Sequence, residues 1–185
     1  MKHDPHLASA AIAEASLIVC DDAEHEHDPV VGPIYQTSLF TFKNFAAMRS
    51  AFAGESSGYI YSRVGNPTAH DFERRIAALE GAEAARGFAS GMAAISATVL
   101  SIVKSGERIV AVRHVYGDAY RFFEKLLPRF GITVDYVDGT DADAVEAALP
   151  GARLLYLESP SSMVFELQDI ARLAKAARAQ GIVTM

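Results

Sequence analysis

From Gly65 to the last residue, short apolar runs alternate with stretches bearing helix start and stop signals, and this rhythm restricts the chain to few folds. Asn66-Pro67 is a cap followed by a proline at the first helical position, and Gly81 closes the helix they open. Within it Phe72, Ile76 and Leu79 recur four and three residues apart, which predicts one face buried against a sheet. Ala84 to Ala89 reads as a strand. Ser90 then caps a helix from Met92 to Val103, stopped by Gly106. Strand Arg108 to Val112, helix Asp118 to Phe130, strand Ile132 to Val137, helix Ala142 to Leu149, strand Leu154 to Leu157 and helix Ile170 to Ala179 follow. Strands separated by helices in this way predict an α/β domain with a largely parallel sheet.

Upstream the pattern is weaker. The first ~30 residues end in an acidic, His-bearing stretch, Asp21 to Asp28, and read as an arm that a partner surface would order. Gly32 to Ser38 is extended and turn-like, and a short helix is expected from Phe45 to Ala53, capped by Asn44 and followed by Gly54. The expected organisation is an arm and short helix over residues 1–60, then the α/β domain over 61–185. Ile182 to Met185 opens another strand after a clean helix stop. A crossover helix would normally cover such a strand, so the reading is of a truncated chain.

Composition narrows the function. A net charge of −6, with no cluster of Lys and Arg, argues against nucleic-acid binding. No run of ~18 apolar residues suggests a membrane span, and the N-terminus lacks the pattern of a signal peptide. The single Cys20 excludes an internal disulfide and a cysteine-based zinc cluster. A cytoplasmic location is the expectation by elimination. His25 and His27, near Asp21, Asp22 and Asp28, imitate a metal site, but acidic arms commonly carry such residues without a ligand, and no metal is expected.

Four segments could carry chemistry. Gly87-Phe88-Ala89-Ser90-Gly91-Met92 lies where a strand is expected to turn into a helix, so small residues and N-terminal N–H groups suit an anion such as phosphate. An ordinary capped helix start has the same appearance. A hydrolase elbow does not fit, because the serine spacing is Gly-x-x-Ser-Gly. Tyr61 and Arg63 are two apart and on an extended chain point to one side, a phenol and guanidinium suited to clamp a phosphate. A surface arginine beside a packing tyrosine is the plainer alternative. Tyr116 follows a strand and sits where open α/β sheets form their ligand crevice, either stacking on a flat ring or simply half-buried. Glu158 to Ser162 follows another strand and belongs to the same rim, although a proline there also just ends a strand.

Taken together, Tyr61-Ser62-Arg63…Asn66-Pro67-Thr68, Ser90-Gly91-Met92-Ala93-Ala94 and Tyr116-Gly117 resemble the Cys/Met-metabolism enzymes that use pyridoxal 5'-phosphate (PLP), the cystathionine γ-synthase and β-lyase group. The resemblance runs from about Gly32 to the end. It implies the large domain of the type I PLP-transferase fold, like that of aspartate aminotransferase, preceded by an extended arm. It implies that Gly91 and Met92 offer backbone N–H groups to the cofactor phosphate, with Ser90 at the same turn. Tyr61 and Arg63 would serve the phosphate of a neighbouring subunit in a homodimer or tetramer. Tyr116 would stack over the pyridine ring and move protons, with Glu158 and Ser162 near the ring.

The implied activity is carbon–sulfur lyase chemistry on a small sulfur amino acid, because PLP acts as an electron sink at Cα. The aspartate that pairs with the ring nitrogen and the Schiff-base lysine would come after Met185. Lys2, Lys43, Lys104, Lys125 and Lys175 read as solvated charges, so no turnover is expected of this chain alone. Ser162 stands where most relatives have asparagine followed by proline. This resembles cystathionine β-lyases, whereas Tyr61 to Pro67 is closer to the γ-synthase and homoserine-ester sulfhydrylase pattern. The expectation leans toward β-elimination. A non-catalytic remnant that pairs with a full-length subunit is the reading from another class.

Overall fold

Asn44 and Asn66 each accept a hydrogen bond from a first-turn N–H, and these two caps start the helices of the N-terminal part of the computed structural model. The structure describes Pro29 and residues 31–56 and 58–185. The expected arm up to Asp28, with Cys20 and the His25–His27 pair, lies outside the described residues. The chain folds as two compact units, one ending at Gly87 and one running from Phe88 to Met185.

In the first unit, α1 spans Phe45–Phe52 and α2 spans Pro67–Glu80. Gly81 ends α2 at φ 60°, a left-handed conformation that glycine adopts without steric cost. The expected apolar face of α2 is not buried: Phe72 and Ile76 are exposed and Ala77 alone is buried. The cause is local. Ala84 to Ala89, the strand expected to pair nearby, forms no strand, and its side chains are mostly exposed. Helical periodicity identified the apolar stripe correctly, but periodicity does not supply the surface that covers it.

The second unit is an α/β/α layer structure. Its elements are α3 (Gly91–Ile102), β1 (Arg108–Val112), α4 (Gly117–Arg121), β2 (Thr133–Val137), α5 (Ala142–Ala148), β3 (Leu154–Tyr156), α6 (Ile170–Ala179) and β4 (Val183–Thr184). The sheet is parallel in the order β2-β1-β3-β4, with Val110 opposite Asp135 and Leu155, and Leu154 opposite Val183. Alternate side chains enter opposite cores. Ile109, Ala111, Leu154 and Tyr156 meet Val99 of α3, Val103 just past its end, and Phe122 and Phe123 beyond α4. Val110 and Leu155 meet Val145 of α5 and Leu173 and Ala177 of α6. Burial on both faces explains why β1 and β3 read as unbroken apolar runs rather than alternating ones. Each fully buried Leu or Ile contributes about 1.5–3 kcal/mol.

The helix expected over Asp118 to Phe130 is three pieces: α4, a π turn at Phe122–Leu126 and a 3-10 turn at Leu127–Phe130. Pro128 has no N–H to donate to the preceding turn, so the α-helical ladder cannot run through it. After β2, Gly139 lies so close to Val112 that a Cβ would sit 2.7 Å from its Cγ1. Glycine at this position is a packing requirement.

Candidate functional site

The strand order places a topological switch within the sheet. The chain leaves β1 for β2 on one side and later returns to β3 on the other. Loops at the carboxyl ends of two such strands diverge and open a crevice, the usual ligand position in open α/β sheets. Tyr116 follows β1 and Glu158 to Ser162 follow β3, so these expected site residues flank that crevice. The two loops are tied across it. Glu158 Oε2 accepts the Tyr116 N–H at 2.9 Å, Ser162 N–H donates to the His114 carbonyl at 2.9 Å, and His114 Nδ1 lies 2.8 Å from Glu166 Oε2. The second loop is braced by buried Ser161, whose Oγ accepts the Glu166 N–H at 2.9 Å and whose own N–H donates to the Glu166 carbonyl at 2.8 Å.

Tyr116 itself is 46% exposed, and its ring is open to a ligand. Its hydroxyl donates to Asp118 Oδ2 at 3.0 Å, and this hydrogen bond holds the phenol above the ordinary tyrosine range. Tyr156, at the end of β3, is pushed up to about 12, first by burial and then by the charge of Glu158. Its ring meets Phe123 edge-on at 5.0 Å, which makes it a core residue and not an acid–base group.

The expected phosphate turn is the start of α3. Ser90 Oγ accepts the Ala93 N–H at 3.1 Å, and Ala94 N–H donates to the Ser90 carbonyl. The N–H groups of Gly91 and Met92, in the first helical turn, have no intrahelical acceptor. A Cβ built on Gly91 meets nothing within 4 Å, so space lies open above the turn. α3 packs against α4, and Met92 rests on the core cluster that includes Val115, beside Tyr116. Phosphate-type donors and an exposed aromatic ring therefore belong to one layer of the second unit. That donor set fits pyridoxal phosphate, which presents a phosphate anion and a flat ring.

Tyr61 and Arg63 lie in the first unit. They occupy a turn, with Val64 N–H donating to the Tyr61 carbonyl at 2.9 Å, and not the extended stretch expected from their spacing. The turn nevertheless brings them together, with the Arg63 guanidinium carbon 4.7 Å from the Tyr61 ring centroid. With Tyr35, Gln36, Thr37, Ser38 and Ser62 they line an open hollow of about 470 Å³. Asn66 Nδ2 fixes the turn by donating to the Tyr35 carbonyl at 3.0 Å and to Ser62 Oγ at 2.9 Å, while Ser62 Oγ donates to the Thr37 carbonyl.

Two features escaped the sequence reading. The His114–Glu166 pair joins residues 52 positions apart, and no local pattern links them. Asp118 sits two residues from Tyr116, and its proximity was the available signal. Lys43, Lys104, Lys125 and Lys175 are all exposed, as expected. Among the described residues no group of His, Cys, Asp or Glu could hold a metal, and no helix is long and apolar enough to cross a membrane.

Residues 15–185 match the sequence profile of the Cys/Met metabolism PLP-dependent enzymes. The chain is 48% identical over 149 residues to the O-succinylhomoserine sulfhydrylase of Pseudomonas aeruginosa, covering 80% of this chain and 37% of that protein. It is 39% identical over 164 residues to the L-methionine gamma-lyase of Pseudomonas putida, covering 85% and 41% respectively. Among solved structures it resembles one assigned as an O-acetylhomoserine (thiol)-lyase from Campylobacter jejuni, which carries a pyridoxyl-lysine monophosphate. The TM-score is 0.83 at 26% identity, over 92% of this chain and 43% of that one. The chain thus spans about two fifths of the length of these curated relatives.

Proposed function

The chain belongs to the Cys/Met metabolism PLP-dependent enzyme family, and from that premise we propose that it forms the phosphate turn and ring-facing rim of an enzyme acting on carbon–sulfur bonds of a small sulfur amino acid. One observation carries this reading: the open Gly91–Met92 donors belong to the same packed layer as the loop that carries the exposed Tyr116 ring, and that loop flanks the sheet's switch point. When bound, the cofactor supplies an electron sink next to the substrate's reacting carbons. The chain's own residues do the rest. Gly91 and Met92 N–H groups would hold the phosphate, with the start of α3 adding favourable dipole potential, and Tyr116 would lie against the ring and offer its hydroxyl for proton transfer. Glu158 holds the Tyr116 backbone, and Ser162 holds the loop of His114.

Chemistry at the γ-carbon, elimination or replacement, is supported by the names of the relatives and by the stretch from Tyr61 to Pro67. Cystathionine β-elimination is supported by Ser162, which removes the amide usual at that position. Tyr61 and Arg63 would serve the phosphate of a second subunit in a cytoplasmic dimer or tetramer. The chain by itself would not turn over, because each described lysine is a solvated charge.

The test is PLP binding, followed through tyrosine fluorescence, since the chain has no tryptophan. Gly91→Ala should not lower the melting temperature, because the added Cβ meets nothing within 4 Å. The backbone N–H stays, but the methyl would fill the space above the turn and hold a phosphate off the donors, weakening PLP binding by roughly tenfold or more, the worth of one hydrogen bond to a charged group. Wild-type affinity in that variant would remove the phosphate from this turn.

A further inference from the structure

Both polar ends of Tyr116 are held by carboxylates. Glu158 Oε2 accepts its N–H at 2.9 Å, and Asp118 Oδ2 accepts its O–H at 3.0 Å. We propose that Asp118 is a positioning residue for Tyr116, holding its hydroxyl as a hydrogen-bond donor so that the rim presents a neutral phenol and not a phenolate. The inference rests on the reading of Tyr116 as the ring-facing tyrosine.

The surrounding charges agree. Ionising the phenol would set two anions within hydrogen-bond distance, which is unfavourable unless a cation answers them. Arg121, on the same helix, is engaged with the other oxygen of Asp118 at 3.3 Å. From the neighbouring loops come Glu158, a further negative charge, and His114, which is taken up by Glu166 at 2.8 Å. No described cation is hydrogen-bonded to the Tyr116 oxygen, so only Arg121, reaching the far oxygen of Asp118, partly offsets the carboxylate. The hydroxyl starts each encounter protonated, with Asp118 fixing where that proton points. A relative lacking a carboxylate two residues beyond this tyrosine would reach the phenolate more easily, so Asp118 adjusts the site's proton chemistry without being one of its reacting groups.

Alkaline absorbance titration of the 185-residue chain tests this without cofactor or turnover. The difference between wild type and Tyr116→Phe isolates the Tyr116 phenol from the other six tyrosines of the seven. Asp118→Asn should shift the Tyr116 midpoint to lower pH, toward that of an ordinary tyrosine, while Asp118→Glu should restore part of the wild-type value. Arg121→Ala, a change at an 80% exposed side chain with little risk to folding, should move the midpoint the opposite way by unmasking Asp118. Coincident curves for wild type, Asp118→Asn and Arg121→Ala would overturn the proposal. A failed PLP-binding experiment would leave these shifts untouched, and intact PLP binding would not produce them, so the two readings fail separately.

Discussion

Single side chains organise the first unit more than its short elements do. Glu73 is the clearest case: its Oε1 accepts the Gly87 N–H at 2.8 Å and lies 3.4 Å from Arg86, and the Glu73 side chain is only 12% exposed. The Gly87 hydrogen bond, followed by the nearby Arg86 charge, holds the carboxyl below the usual glutamate range despite the opposing effect of burial. A carboxyl whose folded value is lowered stabilises the fold above its unfolded value, and that contribution disappears as pH falls through the lowered one. Glu73→Gln should therefore cost about 1–3 kcal/mol at neutral pH, the scale of a charged hydrogen bond. Denaturant melts should find the gap between variant and wild type closing below the ordinary glutamate range; a gap constant down to strongly acidic pH would contradict this origin. Asn66 combines a cap with one bond to Ser62 in the Tyr61 turn and one to the Tyr35 carbonyl. Asn66→Ala should cost about 1–2 kcal/mol by thermal melting, more than an exposed cap alone.

Elements of the second unit were largely legible before the structure. β1 and α6 have the expected bounds, α5 and β2 differ by a residue at one end, and α3 is shifted by one residue at both ends. Caps and glycine stops are local chemistry, so a short window of residues carries them. Where an element depends on something distant, legibility failed. Ala84 to Ala89 has strand composition, but a strand exists only through a partner's ladder, and none is present among the described residues. The α4 segment broke because the proline's missing N–H outweighed an otherwise helical stretch. Two substitutions test the packing. Leu173→Ala, fully buried between α6 and the sheet, should cost about 2–5 kcal/mol in urea unfolding. Gly139→Ala should cost about 1–3 kcal/mol, because the methyl would overlap Val112. A neutral result at Gly139 would mean the loop after β2 yields easily.

At the level of the molecule, the two units differ in how they keep apolar surface from water. The second encloses two cores around its sheet, yet its rim loop leaves Met163, Phe165 and Leu167 at 87%, 75% and 69% exposure. The first leaves Phe45, Phe52 and Phe72 more than half exposed. Apolar surface of this kind attracts further protein or hydrophobic dye. The 185-residue chain should bind such a dye strongly at neutral pH without denaturant, and dye fluorescence at the level of an ordinary sealed domain would contradict the exposure.

Alternation of strand and helix, the caps, and the family to which the chain belongs were all determined by the sequence, because each depends on residues adjacent in the chain or on motifs within short windows. The strand order β2-β1-β3-β4, and with it the switch point that sets Tyr116 beside Glu158, was decided only in three dimensions. So were the His114–Glu166 tie and the grip of Asp118 on the Tyr116 hydroxyl. These depend on which strands lie side by side and on which way a side chain turns. Sheet pairing and core packing settle both, and neither acts through neighbours in sequence alone.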